Sequence, residues 1–241
     1  MDRSIYLSMT GAKTALLRQE LVAHNLANAS STGCRAELDA LRSVPLRGEG
    51  ATTRAYALSA NIGHDDRTGP VESTGRPLDV ALIGRSWLSV QAPDGTEAYT
   101  RNGALHVDAT GLIVTQAGWP VVGDGGPLTV PEGASVEVSP DGRISATIGE
   151  AAPVVIGRLK LVTPQAPLTR GLDGLFRSAE GELPADANAR VQSEALEGSN
   201  VNTIETMAAM IALHRHFEQQ MKALEGAEQR GQTAARLLSP P

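Results

Sequence analysis

From Ile5 the apolar positions fall at Ile5, Met9, Ala12, Leu16, Ala23 and Leu26, in steps of four and three that only Gln19 interrupts. Such steps set every member on one face of an α-helix and make a heptad-like seam suited to a second helix. Leu17 and Leu21 widen the stripe. The other end of the chain repeats the pattern at Ile204, Met207, Ile211, His214, Phe217, Met221 and Leu224. Ahead of it, Asn202 and Glu205 have the spacing of a capping box, in which each side chain satisfies a backbone N–H at the helix start. A helix is therefore predicted from about residue 202 into the 230s, weakened by Gly226 and Gly231 at up to ~1 kcal/mol each and stopped by Ser239-Pro240-Pro241. Two stripes at opposite ends of one chain suit each other. Spacing alone, however, favours a simpler reading, amphipathic helices that pack on their own domain.

The middle differs in kind. From about residue 76 to 190, short β-branched or leucine-rich runs are cut by Pro93-Asp94-Gly95, Asp108-Ala109-Thr110-Gly111, Gly123-Asp124-Gly125-Gly126, Pro131-Glu132-Gly133, Pro140-Asp141-Gly142 and Gly171-Leu172-Asp173-Gly174. Asp-Gly and Pro-Asp-Gly suit turns that need a positive or pre-set φ, so this stretch reads as antiparallel hairpins. Residues 36–75 carry weaker signals. Arg47–Thr53 is Gly/Thr-rich and Gly63–Gly75 is polar, which fits an extended arm with one hairpin or a loosely structured connector. The expected fold is α+β. Residues 1–35 and 196–241 form a helical domain whose two helices pair like a coiled coil, 36–75 an arm, and 76–195 a mainly antiparallel β domain.

Composition narrows the function classes. Aromatic residues make up 3% of the 241, so any core rests on Leu, Val, Ile and Ala. A formal charge of −6 argues against nucleic acid, whose phosphates call for a basic stripe. No run approaches the 18 or so apolar residues of a membrane span, and the opening residues lack the apolar core of a cleaved signal. Cys34 is the single cysteine, so no internal disulfide is expected.

Candidate chemistry is sparse. Gly123-Asp124-Gly125-Gly126-Pro127-Leu128 has the look of a protease nucleophile loop, but its serine is missing, and without that hydroxyl there is no acyl transfer. A glycine-rich hairpin turn is the better reading. His24, His64, His106, His214 and His216 form no zinc-ligand spacing, and His64-Asp65-Asp66 reads as an acidic exposed loop. Cys34 has no histidine placed to activate it. Neither a Walker loop nor a dinucleotide fingerprint is present. No catalytic residue, metal site or cofactor is expected.

Three segments carry a resemblance. Asn25-Leu26-Ala27-Asn28-Ala29-Ser30-Ser31-Thr32-Gly33-Cys34-Arg35 resembles the signature of bacterial flagellar rod and hook proteins, with Asn25, Asn28, Thr32, Gly33 and Arg35 at its motif positions. Leu196-Glu197-Gly198-Ser199-Asn200-Val201-Asn202 resembles the element that opens the family's C-terminal helix. Tyr99-Thr100-Arg101-Asn102-Gly103, with Asp108, Gly111–Thr115 and Gly118, resembles a motif of its β domain. Cys34 departs from the pattern, which usually has Phe there. At the helix end, Asn28 and Ser30 are placed to cap free backbone groups and Gly33 to permit a sharp exit.

The resemblance implies a structural subunit of the flagellar rod, proximal by its opening Met1–Tyr6 and its length, with a distal-rod subunit as the alternative. Its stripes (Ile5, Met9, Ala12, Leu16, Ala23 and Leu26; Ile204, Met207, Ile211, Phe217, Met221 and Leu224) become an assembly interface through which copies stack helically. The implied partners are other rod subunits, proximal and distal, a further copy of the chain, and the flagellar type III export apparatus. The implied place is the periplasmic part of the basal body, reached without a cleaved signal, where the rod transmits torque and encloses an export channel. The terminal segments would order on assembly. Two competing classes are a β-domain binding module with dimerising helical ends and a hydrolase with an unrecognised site in its glycine-rich turns.

Overall fold

The computed structural model describes residues 3–45 and 55–238, so Met1-Asp2, the Gly/Thr-rich Arg47–Thr53 and the stop at Ser239–Pro241 lie outside the described residues. The chain divides into two compact units. One comprises Met1–Ala29, Glu37–His64 and Val201–Pro241, and the other Ser30–Ala36 and Asp65–Asn200.

The first unit holds helices α1 (Arg3–Ala27) and α2 (Thr203–Leu238), which pack on each other. Asn28 ends α1: its main-chain N–H and its side-chain Nδ2 both donate to the His24 carbonyl, at 3.2 and 3.0 Å. One residue thus occupies an otherwise open last-turn acceptor twice. Asn202 starts α2, with Oδ1 accepting from the N–H groups of Ile204 (3.1 Å) and Glu205 (3.3 Å).

Between the helices in sequence, β1 (Glu37–Pro45) and β2 (Ala55–His64) pair antiparallel, so the predicted arm is a hairpin over this stretch. α1 holds it. Arg18 Nε donates to Asp39 Oδ2 at 2.8 Å, and the buried Asn25 side chain bonds both the N–H and the carbonyl of Glu37 at 2.9 Å, as a neighbouring strand would.

The second unit is antiparallel throughout its described strands. Four strands open it: β3 (Val71–Ser73), β4 (Val80–Leu82), β5 (Trp87–Gln91) and β6 (Glu97–Thr100). β5 and β6 are central to a five-stranded sheet completed by Leu161–Val162, Phe176–Arg177 and Thr169–Arg170. A three-stranded sheet joins Ala134–Val138, Arg143–Ile148 and Val154–Arg158. Gly123–Leu128, whose motif lacks a serine, sits at the hairpin of Val122-Gly123 with Gly126-Pro127. The core is aliphatic, with Val80, Leu88, Val90, Ile113, Val121, Ile144, Leu159 and Leu161 in one cluster. Each large member contributes roughly 1.5–3 kcal/mol by leaving water. Trp87, Tyr99 and Phe176 belong to a second cluster: Trp87 packs on Phe176 with ring centroids 4.6 Å apart, and the Tyr99 hydroxyl accepts from the Leu183 N–H at 2.7 Å.

Near the end of this unit the chain changes partner. Val191–Ser193 pairs with β4 and Ala195–Glu197 with β3. Glu194, between them, has φ 56°, the only positive value among the described residues other than glycine. That left-handed residue turns the strand from one neighbour to the next and delivers Glu197 to the site below.

Candidate functional site

The motif segments, far apart in sequence, meet inside the second unit. Arg35, Arg101 and Glu197 are 2%, 1% and 1% exposed. Glu197 Oε1 accepts from Arg35 Nη1 at 2.7 Å and from the Gly69 N–H at 2.9 Å. Its Oε2 accepts from Arg101 Nε at 2.8 Å and from Arg101 Nη2. Arg101 also donates to the carbonyls of Leu82 (2.8 Å), Gly84 (2.9 Å) and Ser86. Burial pushes its guanidinium below the ordinary arginine value; the Glu197 charge opposes that, while Arg35 adds to it. A guanidinium keeps its proton in proteins even when buried. The cluster thus buries two positive charges against one negative, with Arg35 Nε lacking a hydrogen-bond acceptor.

Backbone closeness makes the arrangement possible. Gly33 has φ +67°, and a Cβ there would overlap the Arg101 carbonyl group. Its N–H donates to the Glu197 carbonyl at 2.7 Å. At Gly69 a Cβ would strike the Gly198 carbonyl, and at Gly103 the Val80 carbonyl. Asn200 completes the junction: Oδ1 accepts from the Ala36 N–H at 2.7 Å, and Nδ2 donates to the carbonyls of Asp65 (2.9 Å) and Arg67 (2.8 Å).

Other motif residues take lesser places. Leu196 is half-buried in the ladder opposite Glu72, Ser199 is buried, and Thr32, Cys34 and Val201 are half-buried. Ser30 is exposed. Sequence reading missed that Arg101 faces Glu197. The available signal was a pair of arginines and a glutamate inside motifs otherwise made of small or apolar residues.

The stripes of the terminal helices coincide only in part with the face that packs. Along α2 the half-buried or buried positions include Thr206, Met210, Leu213, Phe217, Gln220, Leu224 and Ala227, again at fours and threes, with Ala209 and Gly226 beside them. Of the predicted stripe, Phe217 and Leu224 fall on this seam, while Ile204, Met207 and Ile211 are 80%, 50% and 56% exposed and Met221 is exposed. In α1, Ala12 is buried beside Ala15 and Thr14, Ile5 and Leu26 are half-buried, and Met9, Leu16 and Ala23 are exposed. Gly11 lies against the Gln220 side chain, and Met9, Leu16, Ile204, Met207 and Ile211 are left exposed.

Among the described residues, no group of three or more His, Cys, Asp or Glu is placed to hold a metal ion. Nor is any described helix long and apolar enough to cross a membrane.

Comparison with known proteins agrees with this geometry. Residues 81–146 match the flagellar hook protein FlgE/F/G D1 domain, and residues 192–237 the flagellar basal body rod FlgEFG protein C-terminal region. The chain is 46% identical to the flagellar basal-body rod protein FlgF of Escherichia coli and to that of Salmonella typhimurium, over 99% of each chain. It is 30% identical to the flagellar basal-body rod protein FlgG of Agrobacterium fabrum, over 94% of this chain and 96% of that one. With outward apolar helices at its ends, a buried junction built from shared motifs and this similarity along its whole length, the chain belongs to the flagellar basal-body rod family of FlgE, FlgF and FlgG.

Proposed function

We propose that the chain builds the proximal part of the rod, polymerising helically through its terminal helices into a torque-transmitting shaft around an export channel. That it is a structural rod subunit of the basal body, and not an enzyme, follows from its family. The finer reading rests on one observation: Met9 and Leu16 on α1, and Ile204, Met207 and Ile211 on α2, stay exposed on helices that pack on each other through other positions. Such a face loses free energy in water and gains it against a like face. Contacts between non-identical patches of successive copies generate a filament wherever the rotation between copies does not close a ring. A proximal position is favoured over the distal one by the higher identity to FlgF than to FlgG. Its partners are then neighbouring rod subunits and the export apparatus that delivers it to the periplasm.

The test is a charge on the outward face. Leu16→Asp and Ile211→Asp should leave the thermal midpoint of the free subunit unchanged yet abolish rod assembly and motility, since a carboxylate trapped in an apolar contact costs several kcal/mol. Normal basal bodies built from either variant would sink the proposal.

A further inference from the structure

The chain crosses between the two units four times, at residues 29/30, 36/37, 64/65 and 200/201. Within the β unit, three of those crossings are gathered on one side chain. Asn200 Oδ1 takes the Ala36 N–H at 2.7 Å, while Nδ2 gives one hydrogen to the Asp65 carbonyl at 2.9 Å and another to Arg67 at 2.8 Å. The Asn200 main-chain N–H reaches the Cys34 carbonyl at 3.2 Å, and the Asp65 N–H reaches Ala36 at 2.8 Å. The fourth crossing opens the segment Ser30–Ala36, which Gly33 and Arg35 tie to Glu197.

An asparagine amide has two donors and an acceptor in one plane, and all three functions are used here on main-chain groups of two different segments. The ladder between Ala195–Glu197 and β3 ends three residues earlier, so this side chain continues the pairing where the backbone has stopped. Neither helix capping nor the outward faces of α1 and α2 calls for an amide at this position.

We propose that Asn200 is a tie that holds the crossing strands together at the edge of the β unit and keeps them from sliding when the terminal helices are loaded. This rests on the rod reading for the source of the load, but the tie itself is tested apart from it. Force entering or leaving the β unit along the chain arrives at these crossings, and the three side-chain bonds carry it in parallel. Asn200 is a positioning residue in this role. Losing the tie frees the segment around Arg67 while the aliphatic core stays closed.

Arg67 supplies the probe, because its side chain is exposed while its own carbonyl is the one Asn200 holds. In the full-length protein, trypsin cutting after Arg67 should rise about tenfold in Asn200→Ala. Asn200→Asp should rise similarly, because it keeps the acceptor for Ala36 but loses both donors. Cutting after Arg143, an exposed side chain on a core strand, and the unfolding midpoint read from Trp87 and Trp119 should stay at wild-type values. Unchanged cutting at Arg67 would overturn the tie. So would a rise at Arg67 and Arg143 together with a lowered midpoint, which is general destabilisation. In cells carrying Asn200→Ala, swimming speed should fall more steeply with added viscosity than in wild type, and an identical response overturns the mechanical role. If the wild-type gene fails to restore motility to a strain deleted for it, the rod reading fails, whereas the trypsin result still decides the tie.

Discussion

The two units treat their side chains in opposite ways. The β unit buries Leu88, Ile113 and Leu161, and it also encloses two arginines and a glutamate. The helical unit buries Ala12, Ala15 and Ala227 and leaves Met9, Leu16, Ile204, Met207 and Ile211 in water. One unit closes a core of large aliphatic side chains within a single chain; among the described residues of the other, the buried apolar positions are alanines. Composition does not explain the contrast, because both draw on the same aliphatic residues. What differs is whether neighbours of the right size lie opposite.

That contrast can be broken at several points, with graded effects. Glu197→Ala should cost the most, about 3–5 kcal/mol in denaturant unfolding, because it leaves two buried guanidiniums without a counter-charge. Leu88→Ala, at a fully enclosed position, should cost about 2–5 kcal/mol, and its outward counterpart Ile211→Ala less than about 0.5 kcal/mol in the free subunit. Equal losses at these two positions would erase the distinction between the units.

Acid should act on the β unit by a smaller and gradual route. Arg177 beside Asp173 holds that carboxyl below its ordinary value. Burial of Asp79 would raise its pKa, yet hydrogen bonds from Arg76 and Thr74 leave it lowered. Groups depressed on folding add stability that is fully present above the unfolded carboxylate value near 4, and that is lost as pH falls through the folded one. The β unit's midpoint in Trp fluorescence should therefore be flat from pH 7 to about 5 and fall below about pH 4. Asp79→Asn should flatten that fall. Last, Asn202→Ala should remove about 1 kcal/mol from the start of α2, seen as lost helical signal with the β unit's midpoint intact.

Much of the architecture was legible in the residues. Asn202 and Glu205 marked the start of α2, and the Asp-Gly turns marked the hairpins, because caps and positive-φ turns are local demands met by local residue types. The stripes were legible as helical but not as to which way they face. In α2, the run 204/207/211 and the run 206/210/213 both obey the same spacing, and the choice between them depends on what lies opposite, which periodicity does not encode. Gly33 read as a sharp exit, yet its need for bare backbone comes from the Arg101 carbonyl against it. The meeting of Arg35, Arg101 and Glu197 was out of reach for the same reason: no periodicity encodes a contact between distant segments.

Those bonds span 162 residues from Arg35 to Glu197 and 96 from Arg101 to Glu197. Closing so long a loop costs entropy before any contact repays it, and chains dominated by distant pairings fold slowly. The junction should then form late in folding. Until Glu197 joins them, Arg35 and Arg101 would stay hydrated cations on an open chain.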